Sequence, residues 1–201
     1  MMGEKSHGPV DAGRRRFLTG LVSGGGVAVG VLAIAMRPAA EAAGPVEVSM
    51  KIITGKMIGK PGWPRYEPAN LVLPAHRLVQ VTVRDYDDGS ADIPGGYNRV
   101  RGTVGGVMRL IKGTPATIAP GAGTVVKEIP VKEVAHTFTM IGERLFMNVP
   151  MPLKSTVVFQ FMTPGPGTYP WQCMAACGTG VGGWGGSMET DGWMRGAVVV
   201  K

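Results

Sequence analysis

Beyond residue 43 no stretch of this chain carries the period of a useful amphipathic helix. In its place stands a succession of short runs rich in β-branched and aromatic residues, cut apart by glycine and proline. They occupy residues 46–53, 78–83, 104–111, 124–129, 136–140, 156–161 and 197–200. Within two of them Val79, Val81 and Val83, and again Val157, Phe159 and Phe161, fall on one face, which is the period of a half-buried strand. Such strands at short spacing predict an all-β, antiparallel sandwich or barrel. Residues 85–101, with Asp87-Asp88-Gly89 and Pro94-Gly95-Gly96, and residues 113–123 read as long loops of the kind that carries partner contacts or a lid. Neither an internal repeat nor a second domain boundary is evident.

The N-terminus reads as an address. Arg14, Arg15 and Arg16 precede Phe17-Leu18, an apolar uncharged stretch follows over residues 17–36, and Ala40 and Ala42 mark a small-residue cleavage site. A basic region, an apolar core and such a site make an export signal, and paired arginines before Phe-Leu make it the twin-arginine form. The interior glycines Gly24, Gly25, Gly26 and Gly30 argue against a buried helix, each costing about 1 kcal/mol against alanine. At about 20 residues the apolar core is also long enough to span a bilayer, so an uncleaved anchor giving membrane association through residues 17–36 stands as the alternative. Both readings place the remainder outside the cytoplasm, in the periplasm or at the cell surface. The division is thus residues 1–42 as signal or anchor and 46–201 as one domain.

The charge balance narrows the partners. Of 21 basic and 14 acidic residues, Lys5, Arg14, Arg15, Arg16 and Arg37 and the acids Glu4, Asp11 and Glu41 lie within the first 42 positions. That leaves 16 basic and 11 acidic residues, a surplus that steers toward an acidic redox partner protein or an anionic surface. The basic residues are scattered and no aromatic stacking platform accompanies them, so nucleic acid is excluded as a partner. No GxSxG, HExxH or GxxxxGK[ST] is present, no small-molecule substrate is evident, and the chain is not read as an enzyme.

Chemistry concentrates near the C-terminus. The run Tyr169-Pro-Trp-Gln-Cys173-Met-Ala-Ala-Cys177-Gly holds the only two cysteines, between a strand-like segment and a closing strand preceded by Met194. Thiolate and thioether are soft donors, and upstream His136 adds an imidazole, a set that suits copper. A reactive thiol pair would instead have CxxC at a helix start. Two cysteines in an exported chain also fit a Cys173–Cys177 disulfide, although so small a loop limits its entropic benefit.

The same residues resemble the copper loop of cupredoxins. The CxxxC spacing is most similar to the binuclear copper A domain of cytochrome c oxidase subunit II, where two thiolates bridge two copper ions. The resemblance is strongest over residues 135–201 and covers the chain loosely from 46. It implies a cupredoxin-like Greek-key β-sandwich with long loops, and copper as cofactor in extracytoplasmic electron transfer. By the same resemblance Cys173 and Cys177 are thiolate ligands, His136 the imidazole and Met194, directly before Arg195-Gly196, the weak thioether. The Ala175 carbonyl is a further ligand by analogy. One departure is plain: such loops carry a second histidine between the last cysteine and the methionine, whereas residues 178–193 contain seven glycines and no histidine. Met188 is the alternative thioether there, and Glu189 or Asp191 would supply an oxygen in place of the missing ring. His76, at a turn entering a strand, reads as a solvated residue, and Met50, Met108 and Met162 as fillers of apolar strands.

Three functions stay open on this basis. The first is electron transfer by a copper centre. A copper-free structural or partner-binding module stapled by the disulfide is the second, and copper delivery, favoured by a sulfur-rich site, the third.

The export reading is tested directly. Replacing Arg14, Arg15 and Arg16 together by lysine retains the protein in the cytoplasm, measured by fractionating cells; unchanged export of the triple variant removes the twin-arginine assignment.

Overall fold

The computed structural model describes residues 44–143 and 145–201, so residues 1–42, expected to form an export signal or anchor, lie outside the described residues. Eleven strands appear among them: β1 (Val46–Ile53), β2 (Arg65–Glu67), β3 (Leu71–Leu73), β4 (Leu78–Asp85), β5 (Met108–Lys112), β6 (Thr124–Val126), β7 (Val134–Gly142), β8 (Leu145–Pro152), β9 (Ser155–Met162), β10 (Gly167–Gln172) and β11 (Arg195–Val200). Short 3-10 turns are the only helical pieces among the described residues, and none is long and apolar enough to cross a membrane.

The strands build the expected β-sandwich. One sheet runs in the order β2-β1-β4-β9-β5-β6 and the other β3-β11-β10-β7-β8. The chain passes repeatedly between the two sheets, so sequence neighbours such as β8 and β9 lie in different layers. Two pairings depart from the antiparallel expectation: β1 runs parallel to β4, and β3 parallel to β11. In both cases the partners are not consecutive strands, and a parallel pair requires such a longer crossover between its members.

The alternation read from the sequence is what fills the core. Val79, Val81 and Val83 of β4 are each fully buried, and they pair in register with Phe161, Phe159 and Val157 of β9. Matched inward faces on adjacent strands are the unit of sheet stabilisation. Against this wall pack Phe138 and Met140 of β7, Trp171 of β10, and Val198 and Val200 of β11. The Phe138 ring lies 4.9 Å from that of Trp171 and 6.3 Å from that of Phe159, joining the two sheets.

Strand β7, like its partner β8 from Met147 onward, is buried on both faces, in its case through Met140. Its second face carries Thr137 and Thr139, which the segment around residues 97–101 covers. Their hydroxyls stand 2.9 Å apart, Thr139 donates to Asn148 Oδ1 at 2.8 Å, and the Asn148 amide donates to the carbonyls of Tyr97 and Arg99 at 2.9 and 2.7 Å. Each buried polar atom of this row thereby gains a partner, and unmet ones would cost about 1–3 kcal/mol apiece.

Several elements went unread in the sequence. Strands β2 and β3 are three residues long, too short to show a period. Strand β8 contains Pro150 and Pro152, which argue against a central strand, and it lies at the edge of its sheet, where proline is tolerated. The run 104–111 divides, its first residues forming a 3-10 turn before β5 begins. Met50 and Met108 fill the core as expected, but Met162, at the last position of β9, is 54% exposed. His76 sits exposed in a turn with φ at 54°.

The central ring of this core yields a direct measurement. Phe159 is 2% exposed, so Phe159→Ala costs about 3–5 kcal/mol of unfolding free energy in a denaturant titration, with the far-ultraviolet dichroism still that of a β-protein. A loss below 1 kcal/mol would contradict its place in the core.

Candidate metal centre

Three strand ends converge on one spot. Cys173 follows β10 directly, continuing the inward alternation of Trp171, and its N–H donates to the Met194 carbonyl at 2.8 Å just before β11. His136 lies on β7 next to a bulge: Val134 faces Pro152 and His136 faces Met151, which leaves Ala135 as the extra residue. A bulge re-aims the side chains around it, and here it accompanies a histidine directed into the interior at 0% exposure.

The result is a cluster in which the ligand atoms of His136, Cys173 and Cys177 all lie within 4.8 Å of one another. The two sulfurs are reduced and 3.6 Å apart. Thr137 N–H and Ala175 N–H point at the Cys173 sulfur from 3.3 and 3.4 Å, and the Ala175 carbonyl stands 3.6 Å from it. A fourth donor arrives from the glycine-rich segment, where the Met188 thioether sulfur is 3.3 Å from that of Cys177.

Each expected site residue thus has a place. His136, Cys173 and Cys177 come together, and Met194 is fully buried, with its carbonyl bonded to Cys173 and its N–H donating to Ser187 O at 3.1 Å. Met188, the alternative thioether, is the methionine whose sulfur the structure sets against a cysteine. Neither acid proposed to replace the missing histidine joins the cluster. Asp191 is an exposed partner of Arg195 at 2.8 Å, and Glu189 is exposed.

Glycine makes the approach of Met188 possible. A Cβ on Gly178 would stand 2.1 Å from the Gly185 carbonyl oxygen and 2.9 Å from Met188 Cγ. Gly183, at φ +77°, would press one 2.4 Å from Ala176 O. Close backbone approach is what these glycines permit.

Sequence reasoning missed the carboxylates. Asp87 Oδ2 lies 3.2 Å from His136 Nε2, leaving Nδ1 buried without a hydrogen-bond partner. Asp85 at the end of β4 is fully buried and accepts the Asp87 N–H at 2.8 Å. The Asp87-Asp88-Gly89 motif was visible, but only as part of a long loop. No local signal ties it to a histidine 49 residues away.

Electrostatics follow from this packing. Burial raises the Asp85 carboxyl to about 7 despite the nearby ring. Burial also opposes a charge on His136, yet Asp85, the Asp87 hydrogen bond and Cys173 together lift it to about 10. For Cys173, burial works against the thiolate, while the bond from Cys177, the imidazolium and the Thr137 N–H overcome it and hold the group well below an ordinary thiol. Cys177 is pushed well above the ordinary value, first by the hydrogen bond to Cys173 and then by burial. One proton is in effect shared between two sulfurs.

No protein-family model matches the chain, and no curated protein matches it. Solved structures similar to it include auracyanin A, a "blue" copper protein from the green thermophilic photosynthetic bacterium Chloroflexus aurantiacus, at 14% identity over 79% of this chain and 100% of that one, with a TM-score of 0.36. Reduced rusticyanin is similar at 16% identity over 79% and 81%, with a TM-score of 0.35. The copper-containing nitrite reductase of Thermus scotoductus SA-01 gives 12% identity over 79% of this chain and 31% of the enzyme, with a TM-score of 0.39. At such distances these likenesses carry no chemistry across; the sandwich rests on its strand order and the centre on its own side chains.

The shared proton has a spectroscopic consequence. Titration of the reduced, metal-free protein followed by thiolate ultraviolet absorbance gives one thiolate that forms well below the ordinary thiol range and a second that forms well above it. His136→Ala removes the cation and moves the first ionisation upward. Two equal ionisations at the ordinary thiol pKa would contradict the arrangement.

Proposed function

We propose that this chain is an exported copper protein that transfers electrons outside the cytoplasm, without being an enzyme. The observation that carries the reading is the donor set: two cysteine sulfurs 3.6 Å apart, a thioether 3.3 Å from one of them, and a buried imidazole whose Nδ1 is unclaimed. Metal–thiolate bonds are about 2.3 Å long, so two sulfurs at this separation reach one ion without moving. Thiolate with imidazole alone would suit zinc equally, but zinc takes Cys, His and carboxylate ligands. The thioether turns the preference toward copper.

His136 through Nδ1, Cys173, Cys177 and a methionine are the ligands in this reading. Met188 and Met194 compete for the thioether place, the first by its contact with Cys177 and the second by its position ahead of the last strand. Bound copper supplies one-electron exchange between its two oxidation states. The chain supplies a dry site on strand ends, so its donors stay nearly fixed when the charge of the ion changes.

The address in residues 1–42 supports export, and the basic surplus of the remainder supports an acidic redox partner. Nuclearity is the finer question. A binuclear copper A centre and a mononuclear blue centre each call for an imidazole more than this cluster has, so the proposed centre is atypical.

Copper addition decides among the readings. Reduced protein is given one and then two equivalents of Cu(II) without oxygen, and thiolate-to-copper charge-transfer absorption and electron spin resonance are followed. Four hyperfine lines identify a single ion and seven a mixed-valence pair. Cys177→Ser and His136→Ala abolish the colour, while Met188→Leu and Met194→Leu show which thioether shifts it. Uptake of Cu(I) alone, without reversible voltammetry, replaces electron transfer by copper delivery. Uptake of neither ion, with sulfurs closing to a bond of about 2.05 Å, leaves the disulfide-stapled module.

A further inference from the structure

Asp87 lies outside the sulfur cluster yet is held at four points. Its N–H donates to Asp85 Oδ1 at 2.8 Å, and its carbonyl accepts from Lys154 N–H at 2.8 Å. Oδ1 accepts the Gly89 N–H at 3.0 Å. Oδ2 is then left for one partner, the Nε2 of His136 at 3.2 Å. The ring it meets is 1% exposed and the carboxylate side chain 21%.

An ionised carboxylate can only accept. The proton between the two groups therefore sits on Nε2, which leaves Nδ1, buried and without a partner, as the ring atom free to meet the sulfurs. Ligating histidines are oriented in this way by a carboxylate on the far nitrogen. The immobilised backbone matters as much as the contact, because a freely rotating side chain would fix neither the tautomer nor the plane of the ring.

We propose that Asp87 is a positioning residue for the metal centre: it locks His136 with Nε2 protonated and Nδ1 directed at Cys173 and Cys177, and its negative charge behind the ring favours the more positive, oxidised state of the bound ion. The inference rests on the copper reading for its redox half and on the hydrogen bond alone for its structural half. Neutralising the charge while keeping an acceptor separates the two halves.

The test compares Asp87→Asn, which retains an oxygen toward Nε2, with Asp87→Ala, which retains nothing. In the reduced, metal-free protein, nitrogen-15 and proton spectra show a slowly exchanging His136 Nε2–H in the wild type and in Asp87→Asn, lost in Asp87→Ala. In the copper-loaded protein, affinity falls by about 10–100-fold in Asp87→Ala and by only a few-fold in Asp87→Asn, judged by competition with a chelator. The midpoint potential rises in both variants, because both have lost the charge. A purely structural residue would not raise the potential in a variant that still holds copper tightly. Equal affinity and potential in wild type and Asp87→Ala overturn the proposal while leaving the copper reading intact. A wild-type protein that takes up no copper overturns that reading and with it the redox half, and loss of the Nε2–H signal in Asp87→Ala would still establish the structural half.

Discussion

A cysteine sulfur buried at 0% exposure and held toward its thiolate form is the constraint that the rest of this molecule accommodates. An isolated charge in a protein interior costs several kcal/mol unless it is paired and hydrogen-bonded. Cys173 meets that cost with two backbone N–H groups, the S–H of Cys177 and the imidazolium of His136. The imidazolium is itself a buried charge, and Asp87 and Asp85 stand behind it for the same reason. From sulfur to surface the charges alternate in sign. Removing any one would leave its neighbour uncompensated, so the long segment after β4 belongs to the centre although it carries none of the expected ligands.

The backbone around the centre serves the same end. Ala176 N–H donates to Asp92 O at 2.8 Å, which ties the cysteine loop to the segment that carries Asp87. Met174 N–H donates to Thr137 Oγ1 at 2.7 Å, linking that loop to the buried row of Thr137, Thr139 and Asn148. Burial of β7 on both faces thus has a local cause: its outer side supplies hydrogen bonds to the loop, and its inner side supplies His136 and Phe138.

What could be read in the sequence followed from local period. Val79, Val81 and Val83 alternate within a run bounded by turns, and so do Val157, Phe159 and Phe161; their pairing in register is the core that the alternation implied. The cysteines and His136 could be picked out because few residue types do soft-metal chemistry and this chain has only two cysteines and three histidines. The edge strand β8 was hidden by its prolines, and β2 and β3 by their length. Asp87 was hidden for another reason. Its role arises from long-range packing, and a separation of 49 residues from His136 leaves no mark in one sequence, whereas Met188 could be named there as the alternative to Met194.

The missing histidine finds its physical counterpart in the segment between Cys177 and Met194. To set Met188 against Cys177, eleven residues away, the chain has to double back on itself; Gly178 and Gly183 permit the contact, and the 3-10 turn Gly186–Met188 delivers the sulfur. Where the copper loops that this one resembles in sequence present an imidazole, this one presents a thioether, and the two differ in kind. A thioether is a weaker, softer donor, and a set of three sulfurs and one nitrogen leans toward the reduced ion. The carboxylate behind His136 leans the other way, because negative charge favours the oxidised ion. In the proposed centre these two departures oppose each other, and a site that keeps both oxidation states within reach needs such a balance more than it needs a second ring.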